Sequence, residues 1–478
     1  MTAGGIEGRR LDPADWDDFR THTGALLATC LDRLEGARDL PWVAPPENMR
    51  ASVALDNVEM PRPVDEVYDR LRRDIMPYAT GNTHPGFFGW VHGTGSAIGV
   101  AAEMVAATMN SNCGGRDHGA MQVEAAVIDW VTGLAGMPTE AFGLLTSGTS
   151  QATVLALSAA RVRAFGVDVR KTGIRHLPEV AVYIAAGAHA CIGQALEVMG
   201  HGSDAVRVIP VNGAAGMDLA ALERAVAQDI AAGVKPLAVV ATAGSVNTGV
   251  FDPIDKIADF CEGQGLWLHV DAAFGFWTLL ADAPMCDLAR GIGRAQSIAL
   301  DFHKWMAVPY DCGACLISDK ALHRATFANR PEYLVSASQG LAGGAPWFTD
   351  YGIELSRGFR ALKVWATVMA IGTRALGAAV SDNIRQARLM GDLVDASPYL
   401  TLAHPVVSNL CCFYPAQGDP VDIAARLQLE GSVVFSTTVI DARHCLRAAM
   451  VNHRTTSADI RAAISAVESL VADMPEPA

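Results

Sequence analysis

From about residue 120 to residue 320 the chain alternates short apolar runs with Ala-rich stretches of helical period. The runs 181–186 (AVYIAA), 237–242 (LAVVAT), 266–270 (LWLHV), 297–300 (SIAL) and 313–318 (GACLIS) read as strands. Stretches 150–165, 191–199, 218–232 and 254–264 read as the helices between them. Short continuous apolar runs separated by helices predict an α/β fold, with a mostly parallel sheet covered on both faces. Ligands of such sheets bind beyond the carboxyl ends of the strands, so the residues just after each strand are where chemistry is expected.

The flanks have a different texture. Asp12 is expected to cap a helix with Pro13 at its first position, with Phe19, Leu26, Leu27, Leu31 and Leu34 on its apolar face. Pro41, Pro45 and Pro46 end that helix, and residues 64–75 suggest another. Helices this exposed need a surface to pack on, either the main body or a second chain. Residues 359–375 read as one long helix leading out of the sheet region. Strands at 408–413 and 432–436 and a closing helix at 457–472 then suggest a smaller α+β domain. The expected division is a helical segment over 1–82, a large α/β domain over 83–372 and a small C-terminal domain over 373–478.

Composition narrows the classes. Half of the residues are hydrophobic and 18% are charged, as in a globular chain with a large core. A net charge of −14, from 37 basic and 51 acidic residues, offers no basic stripe for nucleic acid or an anionic membrane. The single CxxC, Cys312 to Cys315, runs into an apolar strand, so the ten cysteines are expected as buried thiols with no metal site. The opening MTAGGIEGRRLDPADWDD lacks the apolar stretch of a signal peptide, and no run approaches the ~20 apolar residues of a membrane helix. A cytoplasmic protein is expected.

Four places carry candidate chemistry. In Ser297-Ile-Ala-Leu-Asp-Phe-His-Lys-Trp305 an apolar strand delivers His303 and Lys304 to the ligand edge of the sheet. A lysine there forms a Schiff base with an aldehyde if its surroundings favour the neutral amine; alone, it would be read as an exposed lysine. Asp271 closes the strand LWLHVD before the small residues Ala272 and Ala273, where a carboxylate can face a flat protonated heterocycle. Thr146 to Thr153 (TSGTSQAT) is a hydroxyl-rich turn entering a helix, an anion site as well as an ordinary cap. His189 follows the strand AVYIAA and can stack on a ring or serve the loop alone. Lysine, carboxylate and anion turn together specify pyridoxal 5'-phosphate (PLP).

The ordered motifs TSGTSQAT, AAGAHACIGQA, HVDAAFG, DFHKW and PYDCGA resemble those of the group II PLP-dependent decarboxylases, which act on aromatic amino acids, glutamate or cysteine sulfinate. The resemblance runs from His84 to the LR…NHRTT segment at 446–456. It implies fold type I, the aspartate-aminotransferase architecture, as a homodimer with active sites at the interface and N-terminal helices wrapped on the partner. It implies Lys304 as the PLP-bearing lysine, Asp271 as the partner of the pyridine nitrogen and His189 as the stacking residue. Thr149, Ser150 and His303 become phosphate contacts, with Thr242 and Ala273 also against the cofactor. Gln151, Gln194 and Val246 depart from the family pattern, and Val246 removes a hydroxyl that many relatives place near the cofactor's phenolic oxygen.

The same resemblance makes Tyr333, in RPEYL before the lid-like stretch SASQGLAGGAP, the donor of a proton to Cα; relatives with Phe there make aldehydes. Trp90, His92, Asn110, Arg116 and Ser356 are the candidate substrate residues. An aromatic L-amino acid is expected, with an acidic or other polar amino acid as the alternative. Aldehyde formation or transamination is a second alternative. A non-catalytic PLP-binding scaffold is disfavoured because Lys304, Asp271 and Tyr333 are all present.

Overall fold

A computed structural model describes residues 11–55, 58–329, 337–431 and 433–474. Seven strands form the main sheet: β1 (Phe142–Thr146), β2 (Val180–Ala185), β3 (Val206–Ile209), β4 (Lys235–Thr242), β5 (Trp267–Asp271), β6 (Ser297–Asp301) and β7 (Gly313–Ile317). Their order is β1-β7-β6-β5-β4-β2-β3. All neighbours from β6 to β3 are parallel, and β7 alone runs against both β6 and β1. The expected α/β class and mostly parallel sheet are what the chain adopts. β5, β6 and β7 are buried at every position, which is why they read as continuous apolar runs.

A second, antiparallel sheet joins β8 (Leu400–Leu402), β9 (Leu410–Pro415), β10 (Ser436–Ile440) and β11 (Arg443–Ala449) in the order β10-β11-β9-β8. It has its own core, in which Phe413 and Phe435 meet Phe88 from the main body and Met390 and Val394 from the helix Thr373–Ala396. The strand expected at 432–436 begins only at Ser436, because Val434 pairs instead with Phe87 in an isolated bridge.

Two helix expectations need correction. The stretch 359–375 is not one helix: Arg360–Ile371 and Thr373–Ala396 meet at 90° across Gly372. Gly372 has φ +81°, a left-handed conformation that costs glycine little and most residues more. At the N-terminus the cap is Asp15 rather than Asp12; its carboxylate accepts the N–H groups of Asp17 and Asp18, and the helix is Trp16–Glu35. None of that helix's residues is buried. The helix Ala97–Met109 buries only Gly99 and Ala102 and leaves Met104, Val105 and Met109 exposed. No single described helix is long and apolar enough to cross a membrane.

A buried ion pair ties β1 to the helix Gly119–Ala135 and to the loop that carries Arg357. Arg357 Nη2 lies 2.5 Å from Glu124 Oε1, and the guanidinium also donates to the carbonyls of Cys113 and Leu145. Both side chains are 1% exposed. Glu124→Ala removes the carboxylate closest to that guanidinium and leaves Glu354, 3.9 Å from Nε, as a distant one, so a loss of about 3 kcal/mol is expected. It would appear as a lower denaturant midpoint at unchanged slope.

Candidate active site

The carboxyl ends of β4, β5 and β6 lie side by side. Thr242 is in register with Asp271, and Asp271 with Ala299. Thr242, Asp271, Ala273 and Lys304 line one cavity of about 260 Å³ with Thr149, His189, Gly244, Val246 and Phe274, and with Trp90, Val91 and His92 at its front. That volume is close to the lower end of small-molecule pockets, roughly 300–1,000 Å³. Lys304 and Asp271, distant in sequence, therefore share one site.

Asp271 is 4% exposed and accepts the N–H of Ala273 at 3.2 Å. Burial pushes its carboxyl up; Lys304, the Ala273 N–H and His189 oppose this without cancelling it. Thr242 Oγ1 is buried with no hydrogen-bond partner among the described residues. A buried hydroxyl without a partner suits a cavity that receives a polar ligand.

Lys304 is held by a residue the sequence reading passed over. Its Nζ is 2.7 Å from Asp301 Oδ2, at the end of β6. Asp301 also accepts the N–H of Thr149 at 2.9 Å and its hydroxyl at 3.1 Å. Burial works against a charged Lys304, but Asp301 and Asp271 outweigh it and the net shift is upward. The signal is visible in DFHKW, where an acid three residues before the lysine closes a fully buried strand.

The two site histidines are each oriented by the backbone. The N–H of Cys191 donates to His189 Nδ1 at 3.1 Å, and that of Cys312 to His303 Nδ1 at 3.0 Å. A ring nitrogen that accepts carries no proton, so the free face of each ring is Nε2. Burial lowers the His303 pKa, which keeps that ring neutral. The helix Thr149–Phe165 starts at the turn, where Gln151 Oε1 accepts the N–H and the hydroxyl of Ser147. Ser150 is exposed on its first turn and does not line the cavity. Close backbone approach fixes the floor: a Cβ on Gly93 would fall 1.8 Å from His303 O.

At the front, the His92 ring stacks on Phe87 and Trp90 with centroids 5.9 and 5.5 Å apart. Burial lowers its pKa, and Lys304 and Arg447 lower it further, so it is uncharged near neutral pH. Tyr310, also unassigned from sequence, packs on His303 at 4.4 Å, and its hydroxyl accepts the N–H of Gly93. The other substrate candidates lie elsewhere in the chain. Asn110 lines a pocket of about 380 Å³ with Tyr310 and Lys363. Arg116, its guanidinium 4.6 Å from the Trp347 ring centre, lines another of about 370 Å³ with Ser356. Neither Asn110, Arg116 nor Ser356 borders the Lys304 cavity of the same chain. Tyr333 lies outside the described residues.

Comparison with known proteins decides the family. Residues 46–415 match the model of the pyridoxal-dependent decarboxylase conserved domain. The chain belongs to the pyridoxal-dependent decarboxylase family. It is 28% identical over 421 residues to the aromatic-L-amino-acid decarboxylase of Bacillus atrophaeus, covering 86% of each chain. It is 31% identical over 396 residues to the L-2,4-diaminobutyrate decarboxylase of Rhizobium meliloti, covering 81% of this chain and 78% of the relative. The structure of Oryza sativa TDC with PLP and tryptamine superposes with a TM-score of 0.88 at 24% identity, over 97% of this chain and all of that one. This pyridoxal-dependent decarboxylase is thus a PLP enzyme acting on an amino acid. The cavity fits the cofactor: a lysine, a buried carboxylate, an unpartnered hydroxyl and a helix start surround a space floored by the small residues Ala273 and Gly244.

Proposed function

We propose that this decarboxylase converts an aromatic L-amino acid to its amine and carbon dioxide. The observation that supports this most is the cavity lining. Apart from Lys304 and Asp271, no charged side chain borders it among the described residues, and Trp90, Val91, Phe274 and an uncharged His92 are part of its wall. Such a surface suits a flat apolar side chain and gives a charged one no partner. The 31% identity to a diaminobutyrate decarboxylase supports a second reading, a polar substrate.

When bound, PLP supplies an electron sink for the charge left at Cα as carbon dioxide departs. In this reading Lys304 holds the aldehyde carbon, Asp271 holds the proton on the pyridine nitrogen, and His189 stacks on the ring. Thr149, His303 and the first turn of the helix take the phosphate, and Thr242 and Ala273 bound the ring. Tyr333 donates the proton to Cα. The enzyme works as a homodimer, with the bare helix faces at the interface.

A panel of L-amino acids, scored for carbon dioxide and for product mass, tests the proposal. Turnover is expected for aromatic members, at least about tenfold above diaminobutyrate and glutamate, a difference of about 1.4 kcal/mol. Preference for a charged substrate contradicts it. In the same assay Tyr333→Phe is expected to cut amine formation about a hundredfold and to yield aldehyde. Full amine yield without aldehyde would remove Tyr333 as the acid.

A further inference from the structure

Asp301 is 1% exposed, ends β6, and gathers three donors: Lys304 Nζ at 2.7 Å, the Thr149 N–H at 2.9 Å and the Thr149 hydroxyl at 3.1 Å. His303 Nε2 stands 3.8 Å from the same carboxylate. We propose that Asp301 is a positioning residue that keeps Lys304 a paired ammonium and so sets the pH at which the chain takes up its aldehyde cofactor. This rests on the reading of Lys304 as the lysine that carries PLP.

The groups facing Lys304 leave few other sources of control. Asp271 raises its pKa from the end of β5, but among the described residues no ion pair or hydrogen bond joins the two. Burial pushes Tyr310 up, and it pushes the Cys191 thiol up to about 12, so both stay neutral. Burial also lowers His92 and His303, and His189 lines the same cavity. Among the described residues Asp301 is thus the one anion in direct contact with the amine, and it ties that amine to the helix start at Thr149.

Uptake needs the neutral amine. After the ammonium gives one proton to solvent, the Nζ lone pair adds to the aldehyde carbon of PLP. The aldehyde oxygen leaves as water with the two remaining amine hydrogens, and a C=N bond remains. Below the pKa of Lys304, each unit by which that pKa is raised leaves tenfold less free amine. A carboxylate 2.7 Å away therefore slows uptake near neutral pH while holding the nitrogen in place.

Asp301→Asn keeps an oxygen for the Thr149 N–H and removes the charge. The full chain, stripped of cofactor, is mixed with PLP or with pyridoxal, which lacks the phosphate. The growth of visible absorbance is timed from about pH 6 to about pH 10. With both aldehydes, the pH midpoint of the uptake rate is expected to fall by about one unit or more, making uptake near neutral pH about tenfold faster. An unmoved midpoint overturns the proposal, even if the rate changes equally at all pH values, since helix capping or repulsion of the phosphate would act that way. Asp301→Ser, smaller and still able to accept from Thr149, gives the same reading if the Asn chain does not fold. If the unaltered chain takes up neither aldehyde, the role of Lys304 falls as well; uptake with an unmoved midpoint overturns this inference alone.

Discussion

Replacing Lys304 by alanine is expected to abolish the visible absorbance of the purified protein and to lower kcat by about three orders of magnitude or more. That is some 4 kcal/mol in the height of the barrier. The expectation follows from position. The chain has lysines at 171, 235, 256, 304, 320 and 363, and Lys304 alone borders the cavity that also holds Asp271. Lys363 is buried, but its Nζ is committed to Glu103 at 2.6 Å and to the carbonyl of Tyr310. Lys320 lies over the Phe142 ring. Removing Lys304 leaves Asp301 its two donors from Thr149, so the fold should survive and the loss should be chemical. Circular dichroism with a thermal melt separates the two outcomes. A Lys304→Ala chain that keeps its colour and turnover would mean that another lysine does the work.

The second large effect is expected at Asp271. Asp271→Asn preserves the volume and an oxygen for the Ala273 N–H, but removes the charge opposite the pyridine nitrogen. A carboxylate and a pyridinium about 4 Å apart attract by about 4 kcal/mol at an effective dielectric near 20, which is worth roughly three pKa units. A fall of about a thousandfold in kcat is therefore expected, with PLP still bound and the melting temperature little changed. Burial already pushes the Asp271 carboxyl up, which means the site disfavours a lone charge there and gains from a cationic partner. Turnover within about tenfold of the unaltered enzyme would show that the ring nitrogen needs no such partner.

Much of this arrangement could be read in the chain. β5 and β6 are buried throughout and end in acids, so a reader of apolar runs stops where the site begins. Lys304 and Asp271 stand out in the chain for that reason, and they line one cavity. Asp301 stood in the same motif and was passed over, because an acid at a strand end looks like a polar stop until the amine it holds is located. β1 and β3 were missed for different causes. β1 is a five-residue run, FGLLT, at the start of the hydroxyl turn; β3 is an edge strand with only Ile209 buried. The break at Gly372 hid inside an apolar period that continues on both sides. Asp12 and Asp15 offered the same cap chemistry three residues apart, and local pattern alone cannot choose between them. Asn110, Arg116 and Ser356 were grouped with the substrate, yet within one chain they border other pockets.

One measurement bears most directly on the assignment of Lys304. The purified protein is treated with borohydride, digested, and its peptides are mapped by mass spectrometry. The account predicts a single phosphopyridoxyl group, covalently fixed to the peptide containing Phe302, His303 and Lys304. A modified peptide carrying any other lysine, or none from protein saturated with PLP, would contradict it.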